Sequence, residues 1–286
     1  MQVQRRSKCA CLRAGLQSAA QTVCALLLGM SLLFALSACQ TTTTGEGGPS
    51  ARNNQVPGAS EGDAHARAAV RLQLATSYYQ SGQLQLAIDT ARRAIELDPD
   101  SAAAHGLLGL LLLDLGQVKQ ADASFQHALS LEKDNPDINN NYGWFLCQTN
   151  RERESIAYFE RAFSNRLYQS PARALQNAGI CLLRIHEDAR AEKLLLQSLA
   201  ADATNPVVKF QLAQLYLHQH RLDRCDFYFD LLVRSVEANA ETLWLGVRIA
   251  HAKKDDVAEK SYAEQLQLRF PDSPQADAMH RGRFDD

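Results

Sequence analysis

The stretch Asn139-Asn140-Asn141-Tyr142-Gly143-Trp144-Phe145-Leu146-Cys147 places one small residue, Gly143, inside an apolar run. Small residues recur at matched places along the chain, with successive spacings of 34, 34, 36, 34 and 33 residues. Such regular spacing indicates a repeated unit rather than glycines and alanines placed by chance. The six positions are Ala75, Gly109, Gly143, Gly179, Ala213 and Gly246.

Two further positions keep the same phase in every unit. Twelve residues after each small residue comes a second small one, and four residues later a position that is mostly large and apolar. Residues four apart share a helix face, so the small residue lets two helices approach and the large one fills the space beside it. A set of unrelated amphipathic helices is the alternative, but it does not explain the common phase. The second small positions are Ala87, Ala121, Ser155, Ala191, Cys225 and Ala258, and the large ones are Ala91, Phe125, Phe159, Leu195, Phe229 and Tyr262.

This pattern resembles the tetratricopeptide repeat, a helix-turn-helix unit of about 34 residues. The first unit is most similar to it, through Leu74, Ala75, Tyr78, Gly82, Ala87, Ala94 and Pro99. The resemblance implies an all-α fold, a right-handed superhelical solenoid of about six repeats and about twelve antiparallel helices. We predict this solenoid over 64–272, followed by a C-terminal cap or tail at 273–286. The predicted units are 68–101, 102–135, 136–169, 172–205, 206–238 and 239–272.

The turn between the two helices of each unit also has a matched position. Gly82, Gly116 and Asn150 stand there in the first three units, and these residue types end a helix readily in the left-handed conformation. In the last three units we expect His186, His220 and Lys253 at this position, although such side chains adopt it at a higher cost.

The N-terminal segment has the features of a lipoprotein signal peptide. Basic residues precede an apolar core at 23–36, and Leu36-Ser37-Ala38-Cys39 looks like the bacterial lipobox. The resemblance implies cleavage after residue 38 and acylation of Cys39. Ordinary cleavage at Ala38 and a retained membrane anchor are the alternatives. Arg5-Arg6 is compatible with the twin-arginine route, but the hydrophobic residues expected soon after the pair are absent, which favours the general secretory route.

Residues 39–63 are predicted to be the lipidated cysteine and a flexible tether, because they are polar and contain almost nothing apolar to bury. Several acyl chains on one residue hold a protein stably on a membrane. Gln40 follows the cysteine instead of the Asp that resembles an inner-membrane retention signal, so we expect the periplasmic face of the outer membrane. Removal of the signal takes away four basic and no acidic residues, which lowers the net charge from −2 to −6 and gives no support to nucleic-acid binding.

Three cysteines remain in the predicted solenoid. Cys147 and Cys181 fall on first helices that pack side by side, so either a disulfide in an oxidising periplasm or two buried thiols fits them. Cys225 holds a small-residue position, and its expected role is packing. His218 and His220 are two residues apart and point in different directions on a helix, which argues against a metal site. No phosphate loop, zinc-protease helix or serine elbow is present, so we predict no catalytic residue, metal, cofactor or small-molecule substrate.

The repeat fold implies a protein-binding surface on its concave face. In the repeat family, that face is lined by four positions of the first helix of each unit, namely the second, fifth, ninth and twelfth. In the first three units these positions include apolar side chains, which are costly to expose at about 25 cal/mol per Å². We predict that they bind an amphipathic helix or an extended apolar segment of a partner; the alternative is that they pack against neighbouring helices. No lysine clamp for a terminal carboxylate is present. The predicted groove is Leu72, Tyr79, Leu110, Leu113, Asn140 and Trp144.

Three stretches narrow the family, namely 140–147, 177–181 and 243–247 followed by Arg269-Phe270-Pro271-Asp272-Ser273-Pro274. With the lipobox and six repeats, they resemble the PilF/PilW family of type IV pilus biogenesis lipoproteins. The resemblance implies a pilotin, an outer-membrane lipoprotein that binds secretin subunits and promotes their localisation and multimerisation. Two alternatives remain: an adaptor of another cell-envelope assembly complex, such as one for outer-membrane protein insertion, and a regulatory subunit of an enzyme.

Overall fold

The computed structural model describes residues 61–284, and this part of the chain is all-α, with thirteen helices and no strand. The helices are α1 (Glu61–Gln80), α2 (Leu84–Leu97), α3 (Ala102–Asp114), α4 (Val118–Leu131), α5 (Pro136–Gln148), α6 (Glu152–Ser164), α7 (Pro171–Arg184), α8 (Asp188–Ala201), α9 (Pro206–His218), α10 (Leu222–Val233), α11 (Ala240–Lys253), α12 (Asp256–Arg269) and α13 (Pro274–His280).

The first twelve helices form six antiparallel hairpins that stack in chain order into a superhelix of tetratricopeptide repeats. Each odd-numbered helix from α1 to α11 packs against the even-numbered helix that follows it, and each hairpin contacts the next one along the array. The predicted fold class is therefore confirmed. Contacts between neighbouring units join the hairpins along the array, and the buried residues form successive hydrophobic clusters, as expected of a repeat protein.

The close approach of the two helices in a unit depends on the small residues of the repeat. A Cβ atom on Gly143 would lie 2.8 Å from the ring of Phe159, and one on Gly179 would lie 2.7 Å from the side chain of Leu195. Phe159 and Leu195 are fully buried. The pairing of a small residue with a large one sixteen positions later, expected from the sequence, is thus what brings the helices together.

The turns inside the hairpins use the left-handed backbone conformation at the predicted position in five units. The φ angle is 75° at Gly82 and 76° at Gly116, and it is also positive at Asn150, His186 and His220. The sixth prediction was wrong by one residue. The positive φ, of 57°, belongs to Lys254, because α11 continues through Lys253 before it ends.

The structure adds detail at both ends of the predicted solenoid, residues 64–272. Helix α1 begins at Glu61, so residues 61–63, which were predicted to belong to the tether, are helical. At the other end, residues 274–280 form α13, which packs against α11 and α12. Ala276 is fully buried there, and the side chain of Ser273 accepts a hydrogen bond from the backbone N–H of Ala276. A C-terminal cap therefore covers the sixth unit.

Among residues 61–284, no helix combines the length and the apolar character that crossing a bilayer requires. The predicted signal peptide, Cys39 and residues 40–60 of the tether lie outside the described residues.

Candidate protein-binding surfaces

The residues of the predicted groove lie on the first helices of units one to three, α1, α3 and α5. Five of the six are half-buried, namely Leu72, Tyr79, Leu110, Leu113 and Trp144. Asn140 differs, because it is only 2 % exposed. The groove is therefore less accessible than the sequence pattern predicts.

Packing within the solenoid accounts for much of this burial. Leu110 and Leu113 pack against the cluster that contains Phe125 and Tyr142. Trp144 packs against the cluster that contains Cys147 and Cys181. These side chains thus use part of their surface to pack against neighbouring helices, which was the alternative interpretation. The rest of their surface is open to a partner.

The polar groups of Tyr79 and Asn140 form hydrogen bonds between neighbouring units. The Tyr79 hydroxyl donates a hydrogen bond of 2.6 Å to the Asp114 carboxylate. Burial, together with this bond, raises the pKa of Tyr79 well above its ordinary value. The Asn140 side-chain oxygen accepts a hydrogen bond from Asn177 at 3.1 Å, and its amide donates to Asn141. Its burial and the bond from Asn177 make Asn140 a link between units three and four, and its predicted role as a partner contact stays a prediction.

Cys147 and Cys181 form a disulfide that joins α5 to α7, with 5.9 Å between their Cα atoms. Arg184 reinforces the junction, because its guanidinium donates to the Cys147 carbonyl at 2.9 Å and pairs with Glu152 at 3.4 Å. Cys225 is a buried free thiol, and burial raises its pKa to about 12. The thiol donates to the Ala213 carbonyl, so Cys225 serves packing, as expected from its position in the repeat.

The sequence interpretation missed a second apolar surface, at the N-terminal edge of the solenoid. A cavity of about 890 Å³ lies on the outer side of α1 and α2. Val70 and Leu74 are 66 % and 39 % exposed there. We call this surface the N-terminal edge; its lining residues are Asp63, Ala66, Arg67, Val70, Arg71, Leu74, Arg93, Glu96 and Leu97.

The repeat explains why these side chains are exposed. Val70 stands five residues before the small position of unit one, and the corresponding residues of units two to five are at most 3 % exposed. Those later residues are buried against the preceding unit, whereas no described helix precedes α1. Within residues 61–284, the N-terminal edge is therefore a stacking surface that no hairpin covers. The buried counterparts of Val70 are Ala104, Ile138, Ala174 and Val208.

The rim of the N-terminal edge is mainly basic. Arg67, Arg71 and Arg93 line it, against two carboxylates, Asp63 and Glu96. An apolar floor with a basic rim suits a helix that presents apolar residues on one face and acidic residues beside them. The signal that points to this surface was present in the sequence, because the repeat pattern begins near residue 68 and shows no earlier unit to cover the stacking positions of unit one.

A further cavity, of about 460 Å³, lies between α9 and α11, the first helices of units five and six. Val207 and Phe210 of α9 face Trp244 and Arg248 of α11 across it. We call it the C-terminal groove. Within residues 61–284 there is no cluster of three or more histidine, cysteine or acidic side chains arranged to hold a metal ion.

Comparison with known proteins agrees with this architecture. A tetratricopeptide repeat family model matches residues 72–138 and 107–168. The type IV pilus assembly protein PilF of Pseudomonas aeruginosa is 31 % identical over 202 residues, which cover 71 % of this chain and 80 % of PilF.

Two solved structures share the fold along nearly their whole length. The crystal structure of PilW, described as a widely conserved type IV pilus biogenesis factor, has a TM-score of 0.70 and 34 % identity, and it covers 74 % of this chain and 97 % of PilW. The structure of Pseudomonas aeruginosa PilF has a TM-score of 0.69 and 28 % identity, and it covers 78 % of this chain and 99 % of the PilF chain.

The stacked hairpins and their uncovered surfaces define a tetratricopeptide-repeat scaffold. Such folds offer extended surfaces on which other proteins are held. On the similarity to PilF and PilW, the chain belongs to the PilF/PilW family of type IV pilus biogenesis proteins.

Proposed function

We propose that this protein is an outer-membrane lipoprotein of type IV pilus biogenesis that acts as a pilotin. It binds secretin subunits and promotes their localisation and multimerisation at the outer membrane. The observation that carries the proposal is the similarity to PilF and PilW over most of the chain. The role requires binding and anchoring, and it assigns no catalytic step to any residue.

Anchoring through Cys39 supplies the first half of the mechanism. Acyl chains on this cysteine tie the scaffold to the inner leaflet of the outer membrane, since several chains hold far better than one. A secretin segment captured by the scaffold is then concentrated at the membrane without any additional contact. Multimerisation is favoured because the captured subunits are held close to the membrane surface, where their local concentration is high.

The N-terminal edge supplies the second half. It has the exposed apolar side chains of Val70 and Leu74 and three rim arginines. We infer that a secretin segment docks there as a helix, taking the place that a preceding repeat hairpin occupies in later units. The half-buried groove residues Leu110 and Trp144 form a second candidate contact on the same half of the solenoid.

The edge is tested with the double variant Val70→Glu/Leu74→Glu. Both side chains are exposed and lie on a helix that tolerates glutamate, so the fold is retained. The new charges oppose burial of an apolar partner face, and we expect secretin multimers on immunoblots to fall at least fivefold. Val257→Glu/Leu268→Glu on α12 is the matched control, because these two residues are 82 % and 83 % exposed and lie far along the chain.

A photoreactive residue placed at position 70 or at position 144 separates the two candidate contacts in living cells. Secretin crosslinked from position 70 supports docking at the N-terminal edge, and secretin crosslinked from position 144 alone assigns it to the predicted groove. Multimers at wild-type level in Val70→Glu/Leu74→Glu and also in Leu110→Ala/Trp144→Ala would contradict a role for either surface.

A further inference from the structure

The C-terminal tail folds back onto the last repeat. After α13, the chain returns to α11, where the ring of Phe284 stacks on His251 with 4.0 Å between centroids and 5° between planes. The same ring lies 5.6 Å from Trp244. The Arg248 Nε donates a hydrogen bond of 2.8 Å to the Phe284 carbonyl oxygen. An aromatic side chain and the adjoining backbone carbonyl are therefore both recognised by α11.

The residues that hold the tail also border the C-terminal groove. Trp244, Arg248 and His251 are four and three residues apart, so they share one face of α11. Trp244 and Arg248 line the cavity as well, while His251 lies beyond its end. The tail thus covers one end of a longer trough, and the cavity of about 460 Å³ continues beyond it toward Phe210 and Val207.

The uncovered part of the C-terminal groove has the chemistry of a peptide site. Val207 and Phe210 give it an apolar wall. The side-chain amides of Gln211 and Gln214 line it and have no hydrogen-bond partner among residues 61–284. An amide both donates and accepts, so it can bond to the N–H and C=O groups of an extended backbone whatever its sequence.

We propose that the C-terminal groove binds an extended segment of a partner protein that carries an aromatic side chain, and that the protein's own tail competes with it. The tail is the structural argument for this occupant, because Phe284 and its carbonyl are seated on three of the trough's residues. The partner's aromatic ring takes the place of Phe284, and its backbone continues along Gln211 and Gln214. This surface is separate from the N-terminal edge and does not depend on the role proposed for that edge.

The test uses the tail itself as a probe in trans. The probe is a fluorescein-labelled peptide with the sequence of residues 280–286, His-Arg-Gly-Arg-Phe-Asp-Asp. It is titrated by fluorescence anisotropy with the whole mature chain and with a chain that ends at Arg283. The shortened chain keeps the bonds from Gly282 N–H and Arg283 N–H that close α13. The full-length variant Phe284→Ala is the second open form, should the shortened chain fail to fold.

We expect saturable binding to both open forms and at least tenfold weaker binding to the whole chain. A peptide with alanine in place of the phenylalanine should lose at least tenfold in affinity. Gln211→Ala/Gln214→Ala in the open form should weaken binding at least threefold. Leu268→Ala, at an exposed apolar position on α12, is the control and should change nothing.

Three results would overturn the proposal. Folded open forms that do not bind the peptide, or that bind it no better than the whole chain does, would show that the tail does not occupy a binding site. An affinity that Gln211→Ala/Gln214→Ala leaves unchanged would mean that the peptide contacts only the end of the trough and not the C-terminal groove. A dimer of the whole chain in sedimentation velocity that dissociates in Phe284→Ala would assign the groove to the tail of a second copy instead.

Discussion

Phe159 fills the space that Gly143 leaves open, and this single contact shows what holds each hairpin together. The ring lies 2.8 Å from where a Cβ atom on Gly143 would stand, and the residue is fully buried. We therefore expect Gly143→Ala to lower the free energy of unfolding by about 1–3 kcal/mol, because overpacking forces the helices apart. Urea unfolding followed by circular dichroism measures the loss.

A second substitution tests that cause. Phe159→Leu shortens the side chain opposite residue 143, so Gly143→Ala/Phe159→Leu should cost less than the sum of the two single variants. If the loss of stability in the double variant equals the sum of the two single losses, the contact between residues 143 and 159 is not the source of the strain.

His220 lowers the stability of the fifth unit, because its backbone adopts a conformation that is unfavourable for a residue with a side chain. Its φ of 53° lies in the left-handed region, and its exposed side chain gives no compensating burial. His220→Gly should raise the free energy of unfolding by about 1 kcal/mol, since a left-handed side-chain residue costs roughly 1–2 kcal/mol. The matched control is Asn150→Gly, where asparagine already tolerates this conformation and the gain should be smaller. Equal gains at both sites in urea unfolding would refute the steric argument.

At the scale of elements, the disulfide between α5 and α7 ties the two halves of the array. Its cysteines are 34 residues apart in sequence, and a closed loop of that length stabilises a fold by about 3–4 kcal/mol in the chain-entropy description. We expect dithiothreitol to lower the urea midpoint of the wild type. Cys147→Ala/Cys181→Ala should start from that lower midpoint and show no response to the reductant.

The buried thiol of Cys225 provides the internal control. Cys225→Ala removes a residue outside the disulfide, so its response to dithiothreitol should equal that of the wild type. A wild-type midpoint that the reductant leaves unchanged would mean that the junction is held by Arg184 and by packing alone.

The helices themselves were largely predictable from the sequence. The phase of the small and large residues defined six hairpins, because each contact depends on positions within one unit, such as Gly179 and Leu195. The turn at Lys254 was missed by one residue, since nothing local distinguishes Lys253 from Lys254 once a glycine is absent. Helix α13 was not predicted as a helix, because it has only seven residues and its packing on α11 and α12 cannot be inferred from the repeat pattern.

The candidate surfaces were less predictable than the helices. The positions assigned to the predicted groove lie on the expected helices, but the burial of Asn140 and the bond from Tyr79 to Asp114 depend on contacts between units. Sequence spacing within one unit carries no information on such contacts. The exposure of Val70, by contrast, follows from its place in the first unit and was open to prediction.

At the scale of the whole molecule, the proposed activity depends on attachment to the membrane. Cys39→Ser removes the thiol that acylation requires, so we expect the mature protein in the soluble periplasmic fraction and secretin multimers reduced at least fivefold. Cell fractionation and immunoblotting measure both. Cys24→Ser, in the same N-terminal segment, is the matched control and should leave attachment intact. Membrane association unchanged by Cys39→Ser would contradict the lipid anchor.

In the part of the chain that the structure describes, the two ends of the solenoid are not equivalent: α13 seals the sixth unit, whereas Val70 and Leu74 are exposed on the first unit. Duplication of a repeat during evolution can therefore lengthen the array at its front, where the new hairpin finds a matching surface. Growth at the rear first requires displacement of α13. A front-end duplication would bury Val70 and Leu74 and so remove the proposed docking face, and the proposed role therefore predicts a fixed number of repeats.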